Sequence, residues 1–336
     1  FFDEVQDCPR ALTSLKYFAE QRPELAIVAA GSYLGLIKAE ESFPVGKVTF
    51  QSMFPLTFAE FLQNANPSLH KTWSEIPLDG STPIDLFWHE SLLNWLTYYL
   101  CAGGLPKAAA QFIEHKEHPI TAAGAARAVQ NDLVTSYESD FSKHAGTVNA
   151  NHILRVFDSI AAQLGQAQDE SVNRFKFTGV IPGQKGYPRI AGPLTWLEKS
   201  RLTIKSHVIE NATHPLKAFA QENRFKSYLF DTGILHAMLN TPIEVLLDNK
   251  LGSFKGFVLE NFVATELFAK ENQALLSWAQ GQSEIEFLWT RGASIIPIEV
   301  KAAAKARQAK SLKSFIDRYK PQTAFKFSRQ NIGKFH

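Results

Sequence analysis

"SEIEFLWTRGASIIPIEVKA", residues 283–302, holds two runs rich in aromatic and β-branched residues on either side of the turn "TRGA". That pattern predicts a β-hairpin. Glu286 lies on the first run, Glu299 and Lys301 on the second. The alternation of a strand puts Glu299 and Lys301 on one face and Val300 on the other, and the hairpin brings Glu286 alongside. The pair follows the apolar run "IIPI", as inward-facing residues of a central strand do. Two carboxylates and a lysine on one sheet face are the groups that metal-dependent phosphodiester cleavage uses. The carboxylates hold Mg²⁺, and the lysine orients the attacking hydroxide and stabilises developing charge. The plainer reading is a pair of amphipathic strands with a solvated charged face.

Upstream, "FKGFVLENFVATELFAK" reads as a helix carrying Glu260. Downstream, "QAKSLKSFIDRYK" reads as a basic helix and "TAFKFS" as a last strand. From Glu299 to the end stand ten Lys and Arg, against Glu299 and Asp317 as the only acids. A basic terminal segment suggests an anionic partner such as DNA; the bland alternative is a solvated helix face.

Further upstream, "NHILRVFDSIAAQLG" is an amphipathic helix, and "GPLTWLEKSRLTIKSHVI" reads as helix then strand. Helix, helix, strand at this size suggests a winged helix-turn-helix, in which Arg189, Lys199 and Arg201 would touch phosphates while Trp196 and Leu197 pack in the core. From about 66 to 145 the pattern is helical, broken at "CAGGLPKAA" by two glycines and a proline. The first 60 residues alternate strand and helix: strands at "FFDEV", "LAIVAAG" and "GKVTFQSM", helices at "CPRALTSLKYFAEQRP" and "LTFAEFLQNA", the last with Thr57 as N-cap. Continuous apolar runs between helices predict a parallel sheet.

The first strand ends in two adjacent carboxylates, Asp3 and Glu4. A P-loop NTPase needs an Asp in the Mg²⁺ shell, a Glu that polarises water and a polar sensor of the γ-phosphate. Asp3, Glu4 and Ser32, which ends the second strand, supply those residue types in that order.

Composition bounds the rest. The 336 residues are 45% hydrophobic and 20% charged, as in an ordinary soluble globular protein. No apolar run approaches the ~20 residues that span a bilayer, so no membrane partner is expected. Cys8 and Cys101 lie far apart, in no metal-ligand spacing, which fits a reducing cytoplasm. The ten histidines show no paired metal spacing, and no nucleophile–base pairing stands out.

With those residues in view, the chain resembles the prokaryotic AAA-type ATPases that carry a C-terminal domain of uncharacterised function. The resemblance rests on "FFDEVQDCPRALTSLKYFAEQRPELAIVAAGSYLG", "FPVGKV", "FPLTFAEFL", "GGLPKA", "YESDFSKHA", "GPLTWLEKSRL", "FKSYLFDTGIL", "GFVLENFVATEL" and "EIEFLW…IPIEVKA", in order over nearly the whole length. It implies an ATPase that binds ATP and Mg²⁺, with Asp3 and Glu4 as the Walker B pair and Ser32 at the sensor position. Lys47 falls where the family has a basic residue, in a region facing a neighbouring nucleotide. The hairpin resembles the PD-(D/E)xK nuclease core, whose first helix often adds an acid; Glu260 is that candidate, and Glu286 stands where Asp is commoner. The phosphate-cradling loop, G-x-x-x-x-G-K-[ST], is absent from these residues. The chain is therefore expected to be a fragment beginning inside the Walker B strand, with the intact protein binding ATP.

The expected fold class is α/β. A partial P-loop (RecA/AAA-like) parallel sheet covers 1–65, a helical lid or linker 66–145, a winged-helix-like segment 146–235, and a C-terminal α/β restriction-endonuclease-like domain 236–336. The leading functional expectation is an AAA-type ATPase coupled to a winged-helix and nuclease-like effector region. The alternatives are a nucleic-acid or protein binding module with a catalytically inactive nuclease-like fold, and a Mg²⁺-dependent DNA nuclease regulated by the ATPase. A protein partner or a homo-oligomer is expected beside ATP and DNA.

Overall fold

The computed structural model describes residues 1–31, 46–77, 80, 82–145, 147–166, 174–248, 250–252, 254–302 and 309–334. The fold is mixed α/β. Its sheet has six strands: β1 (Thr203–Ile209), β2 (Phe225–Leu229), β3 (Leu275–Gln280), β4 (Ser283–Arg291), β5 (Ser294–Val300) and β6 (Phe325–Phe327). They lie in the order β2-β1-β3-β4-β5-β6. β1 runs parallel to β3, β5 runs parallel to β6, and the other neighbours are antiparallel. The 283–302 hairpin forms as its sequence predicts, with Arg291 opposite Ser294 and Gly292 at φ +60° in the two-residue turn.

The helices are α1 (Pro9–Gln21), α2 (Phe58–Ala65), α3 (Pro67–Ser74), α4 (Leu86–Ala102), α5 (Pro106–Glu114), α6 (Pro119–Ala145), α7 (Thr147–Gln166), α8 (Ala191–Lys199), α9 (Thr232–Met238), α10 (Ile243–Leu247), α11 (Phe254–Glu271) and α12 (Lys310–Tyr319). Thr57 caps α2 as expected, within a reciprocal capping box with Glu60. One core packs α7, α8, α9 and α11 against the sheet, through Phe157, Leu197, Ile234 and Val263 on Ile204, Phe287 and Ile298. On the other face α12 lays Leu312 and Phe315 on Trp278, Ile285 and Leu288. A separate helical core joins α2, α4, α5 and α6 through Phe61, Leu62, Ala102 and Phe112.

The turn expected at "CAGGLPKAA" separates α4 from α5 and is a three-way junction. Gly104 N–H donates to Asp231 Oδ2 at 2.7 Å, and Asp231 Oδ1 accepts from Ile234 N–H at 2.9 Å, capping α9. The Gly104 carbonyl accepts from Leu56 N–H at 2.7 Å. Gln130 Nε2 donates to the carbonyls of Cys101 and Ala102 that end α4. A Cβ on Gly104 would sit 2.2 Å from the Leu56 carbonyl oxygen, and one on Gly103, at φ +72°, 2.3 Å from Asp231 Oδ1. Both glycines are required by close approach. Nearby, Glu266 of α11 accepts from Phe58 N–H at 2.8 Å, fastening the start of α2 to α11.

Two expectations are corrected here. The single strand read at the end of the helix-helix-strand segment is β1, which pairs with β2 and, on its other edge, with β3 of the six-stranded sheet. The sheet thus crosses the expected division at 235/236. A strand after a helix reads alike whether it stands in a small module or joins a larger sheet, because the deciding pairing lies about 70 residues away. Near the N-terminus, the strands expected at 1–5 and 25–31 make one parallel bridge, Phe2 to Ala29, with Phe2 N–H to Val28 O at 2.9 Å and Ala30 N–H to Phe2 O at 2.8 Å. The segment expected as a strand at 46–53 pairs with nothing as a strand among the described residues. A strand exists by its neighbours, and apolar alternation alone does not supply one.

Candidate functional site: a buried carboxylate–lysine centre

Glu286 and Glu299 come together on Lys301. Its Nζ lies 3.5 Å from Glu286 Oε1 and 3.5 Å from Glu299 Oε1. The other Glu286 oxygen accepts from Val300 N–H at 3.1 Å. The Lys301 backbone is held by its N–H on the Phe327 carbonyl at 2.8 Å, one step beyond the β5–β6 ladder. Glu299 is 1% exposed and Glu286 6%, whereas the Lys301 side chain is 43% exposed, so the centre opens to solvent at the lysine.

A break in the strand places Glu286. Ile285 and Phe287 are two residues apart, yet Ile285 packs in the α12 core and Phe287 in the α11 core. The register explains it: Leu276 pairs with Leu288 and Trp278 with Ile285, so Glu286 and Phe287 together oppose Ser277. Two residues facing one is a β-bulge, which re-aims a side chain.

Glu260 of α11 arrives from the other side. Lys226 Nζ of β2 is 3.3 Å from Glu260 Oε2 and also contacts Glu284 of β4. Tyr228 hydroxyl donates to the same Glu260 oxygen at 3.2 Å. Asn261 sets that approach: it accepts from Leu229 N–H at 2.8 Å and donates to Leu229 O at 3.0 Å, clamping α11 to the end of β2. Sequence reading found Glu260, Glu286, Glu299 and Lys301 but missed Lys226, Tyr228 and Glu284. A signal was present. Lys226 stands inside the apolar strand "RFKSYLF", and Glu284 alternates with Glu286 in "SEIEFLW".

The centre thus holds four carboxylates and two ammonium groups. Burial, helped by Glu260, pushes the Glu286 carboxyl up to about 8 against the pull of Lys301 and Lys226. Burial also raises Glu284 and Glu299, opposed by Lys226 and Lys301 respectively. Burial alone would lower the Lys226 pKa, but Glu260, Tyr228, Glu284 and Glu286 hold it well above its ordinary value. Lys301 is likewise raised by Glu286 and Glu299 against burial.

The donor chemistry suits Mg²⁺, which takes carboxylate oxygens, commonly one or two with water completing the shell. Glu286 and Glu299 converge, and Glu299 Oε2 is buried without a hydrogen-bond partner among the described residues. Against that, no group of three or more His, Cys, Asp or Glu among the described residues is arranged to hold a metal, and Lys301 already bridges the two acids.

The N-terminal positions lie apart. Asp3 and Glu4 are exposed just beyond the Phe2–Ala29 bridge, with Asp3 Oδ1 accepting from Glu4 N–H at 3.1 Å. Glu4 has φ 45°, unusual for a residue with a side chain. Lys47 is 3.6 Å from Glu20. Ser32 lies outside the described residues. Of the basic residues read as phosphate contacts, Arg201 is engaged internally: it donates to Ser52 at 2.9 Å and lies over the rings of Phe54 and Phe268. Among the described residues, no helix is long and apolar enough to cross a membrane.

Three family models match parts of the chain. An AAA domain matches residues 1–62, which supports an AAA-type, ATPase-like region there. Residues 93–244 match a domain of unknown function, DUF8612, and residues 255–332 another, DUF4143. No curated protein and no solved structure matches the chain. The sheet and its centre join the last two regions: β1, β2, Lys226 and Tyr228 fall in one, and Glu260, Glu284, Glu286, Glu299 and Lys301 in the other.

Proposed function

We propose that this chain is part of an AAA-type ATPase whose C-terminal sheet carries a Mg²⁺-dependent phosphodiester-cleaving centre acting on DNA. The observation that carries the reading is the convergence of Glu286 and Glu299 on Lys301, each at 3.5 Å, in a buried setting with more carboxylates than cations. Glu286 and Glu299 would hold Mg²⁺, with Glu260 as a further acid; the ion, when bound, supplies Lewis-acid polarisation of the phosphate. Lys301, the exposed member, would orient the water that attacks phosphorus and offset charge on the phosphoryl oxygens as the bond to the leaving oxygen breaks. Its present contacts with both carboxylates must loosen for that role.

The test is cleavage of linear and supercoiled DNA with Mg²⁺ or Mn²⁺. Lys301→Ala is expected to lower the rate on the order of a hundredfold. A second reading, a nuclease-shaped domain that binds without cutting, is favoured by the absence of a three-acid metal group among the described residues and by the burial that raises the Glu286 carboxyl to about 8. No cleavage by a folded wild-type chain, with the variant indistinguishable, would establish that second reading.

In the N-terminal region we assign Asp3 to the Mg²⁺ shell, Glu4 to water activation, Ser32 to γ-phosphate sensing and Lys47 to a neighbouring nucleotide. The AAA-domain match over 1–62 supports this reading. ATP hydrolysis by a chain carrying a phosphate-binding loop upstream of Phe1 is expected to vanish in Glu4→Gln; turnover that persists would remove Glu4 from the mechanism.

A further inference from the structure

A cavity of about 90 Å³ lies between α7, β2 and α11, and its wall includes Lys226, Tyr228 and Glu260 of the centre. Arg174 and Lys176 also line it, both exposed. Three cations therefore face it with Glu260 as the carboxylate in its lining. The segment bearing the two outer cations is fixed. Gln163 of α7 accepts from Lys176 N–H at 2.8 Å and donates to Lys176 O at 2.9 Å. Phe175 between them is buried, donates its N–H to Phe225 O at 2.9 Å, and stacks on the Phe225 ring. The basic pair is thus anchored to both walls of the cavity.

The space is open on one side and large enough to admit a phosphate group. Burial and the neighbouring Arg224 lower the Arg174 pKa against the opposing pull of Glu210 and Glu284, so an anion at the mouth meets a field that already favours negative charge there. The lining is unlike a closed structural ion-pair network, because Lys226 is satisfied by Glu260 and Glu284 while Arg174 and Lys176 reach solvent.

We propose that this cavity binds a phosphate of a nucleic-acid strand, with Arg174 and Lys176 as its contacts at the mouth and Lys226 at its floor. The inference deepens the proposed cleavage reading and rests on it. It gives the strand a second phosphate site on the α7 side of the centre, in addition to the exposed Lys301. Arg is suited to bidentate contact with phosphate, and Lys adds a point charge.

The experiment is a binding titration of the full chain in EDTA, where no metal-dependent cleavage interferes. The probes are a single-stranded tetranucleotide, with and without a 5′-phosphate, and inorganic phosphate. Expected is saturable binding of the tetranucleotide that weakens at least tenfold in Arg174→Ala/Lys176→Ala and changes less than twofold in Lys71→Ala, which removes an exposed charge on α3. Equal affinity in the double variant and the wild type, or no saturable binding, overturns the proposal. Binding of inorganic phosphate alone would assign the cavity to a small free anion and overturn its assignment to a strand. Failure of cleavage does not alter these outcomes, because the titration reads binding with no metal present.

Discussion

Replacing Lys226 by Met is expected to cost about 3–5 kcal/mol of stability, a large part of the roughly 5–15 kcal/mol that a domain holds. Lys226 is 5% exposed and contacts Glu260 at 3.3 Å and Glu284 more closely still. Taking the ammonium away leaves two largely buried carboxylates beside Glu286 with no cation between them. Methionine fills much of the same volume, so the loss is electrostatic rather than a cavity. Urea unfolding near neutral pH measures it, and a loss below about 1 kcal/mol would show that water already screens the pair. The triple variant Lys226→Met/Glu260→Gln/Glu284→Gln should recover much of the loss, since removing every member of a buried ionic group is far milder than orphaning one. Lys226 comes from β2 and its partners from α11 and β4. The variant therefore also reports how tightly the sheet's outer strand is bound to its middle.

Local signals made much of this fold legible in the sequence. The hairpin at 283–302, α11, α8, α12 and the Thr57 capping box each depend on residues within one turn or one strand of each other. What the sequence left hidden depends on distance. The parallel pairing of β1 with β3 joins segments about 70 residues apart, and it carries the strand read after α8 into a six-stranded sheet. The bulge at Glu286–Phe287 leaves no mark in the alternation of "EIEFLW".

The candidate site divides the same way. Glu286, Glu299 and Lys301 share one hairpin and were readable together. Lys226 and Tyr228 entered from a strand that sequence alone assigned to another domain. The short motifs also separate into two physical classes. "GGLPKA", "FPLTF" and "FDTGIL" meet at the Gly104–Asp231–Leu56 junction, where close backbone approach and buried hydrogen bonds demand those residues. "VLEN", "EIEF" and "IEVK" meet at the carboxylate–lysine centre.

That centre also gives the protein a pH-dependent stability whose sign follows from Glu286. Its carboxyl is raised to about 8 in the folded chain from an ordinary 4.5, chiefly by burial. Between those values the folded state holds a proton that the unfolded state has released. Stability therefore falls as pH rises through the window, and the penalty is complete only above about 8. Glu266, raised by burial to about 7, acts with the same sign but finishes lower. Glu286→Gln keeps the shape and removes the titration. It should stabilise the chain at about pH 8 by roughly 2–4 kcal/mol relative to wild type, with little difference at about pH 4.5. Urea midpoints at a series of pH values test this; parallel profiles for the two proteins would mean that Glu286 is ionised throughout. The result bears on chemistry as well as folding. A carboxyl that keeps its proton at neutral pH binds a cation poorly, because ligation requires the ionised form. On the proposed reading, cleavage should therefore climb as pH rises towards 8, over the same range in which the wild-type chain loses stability.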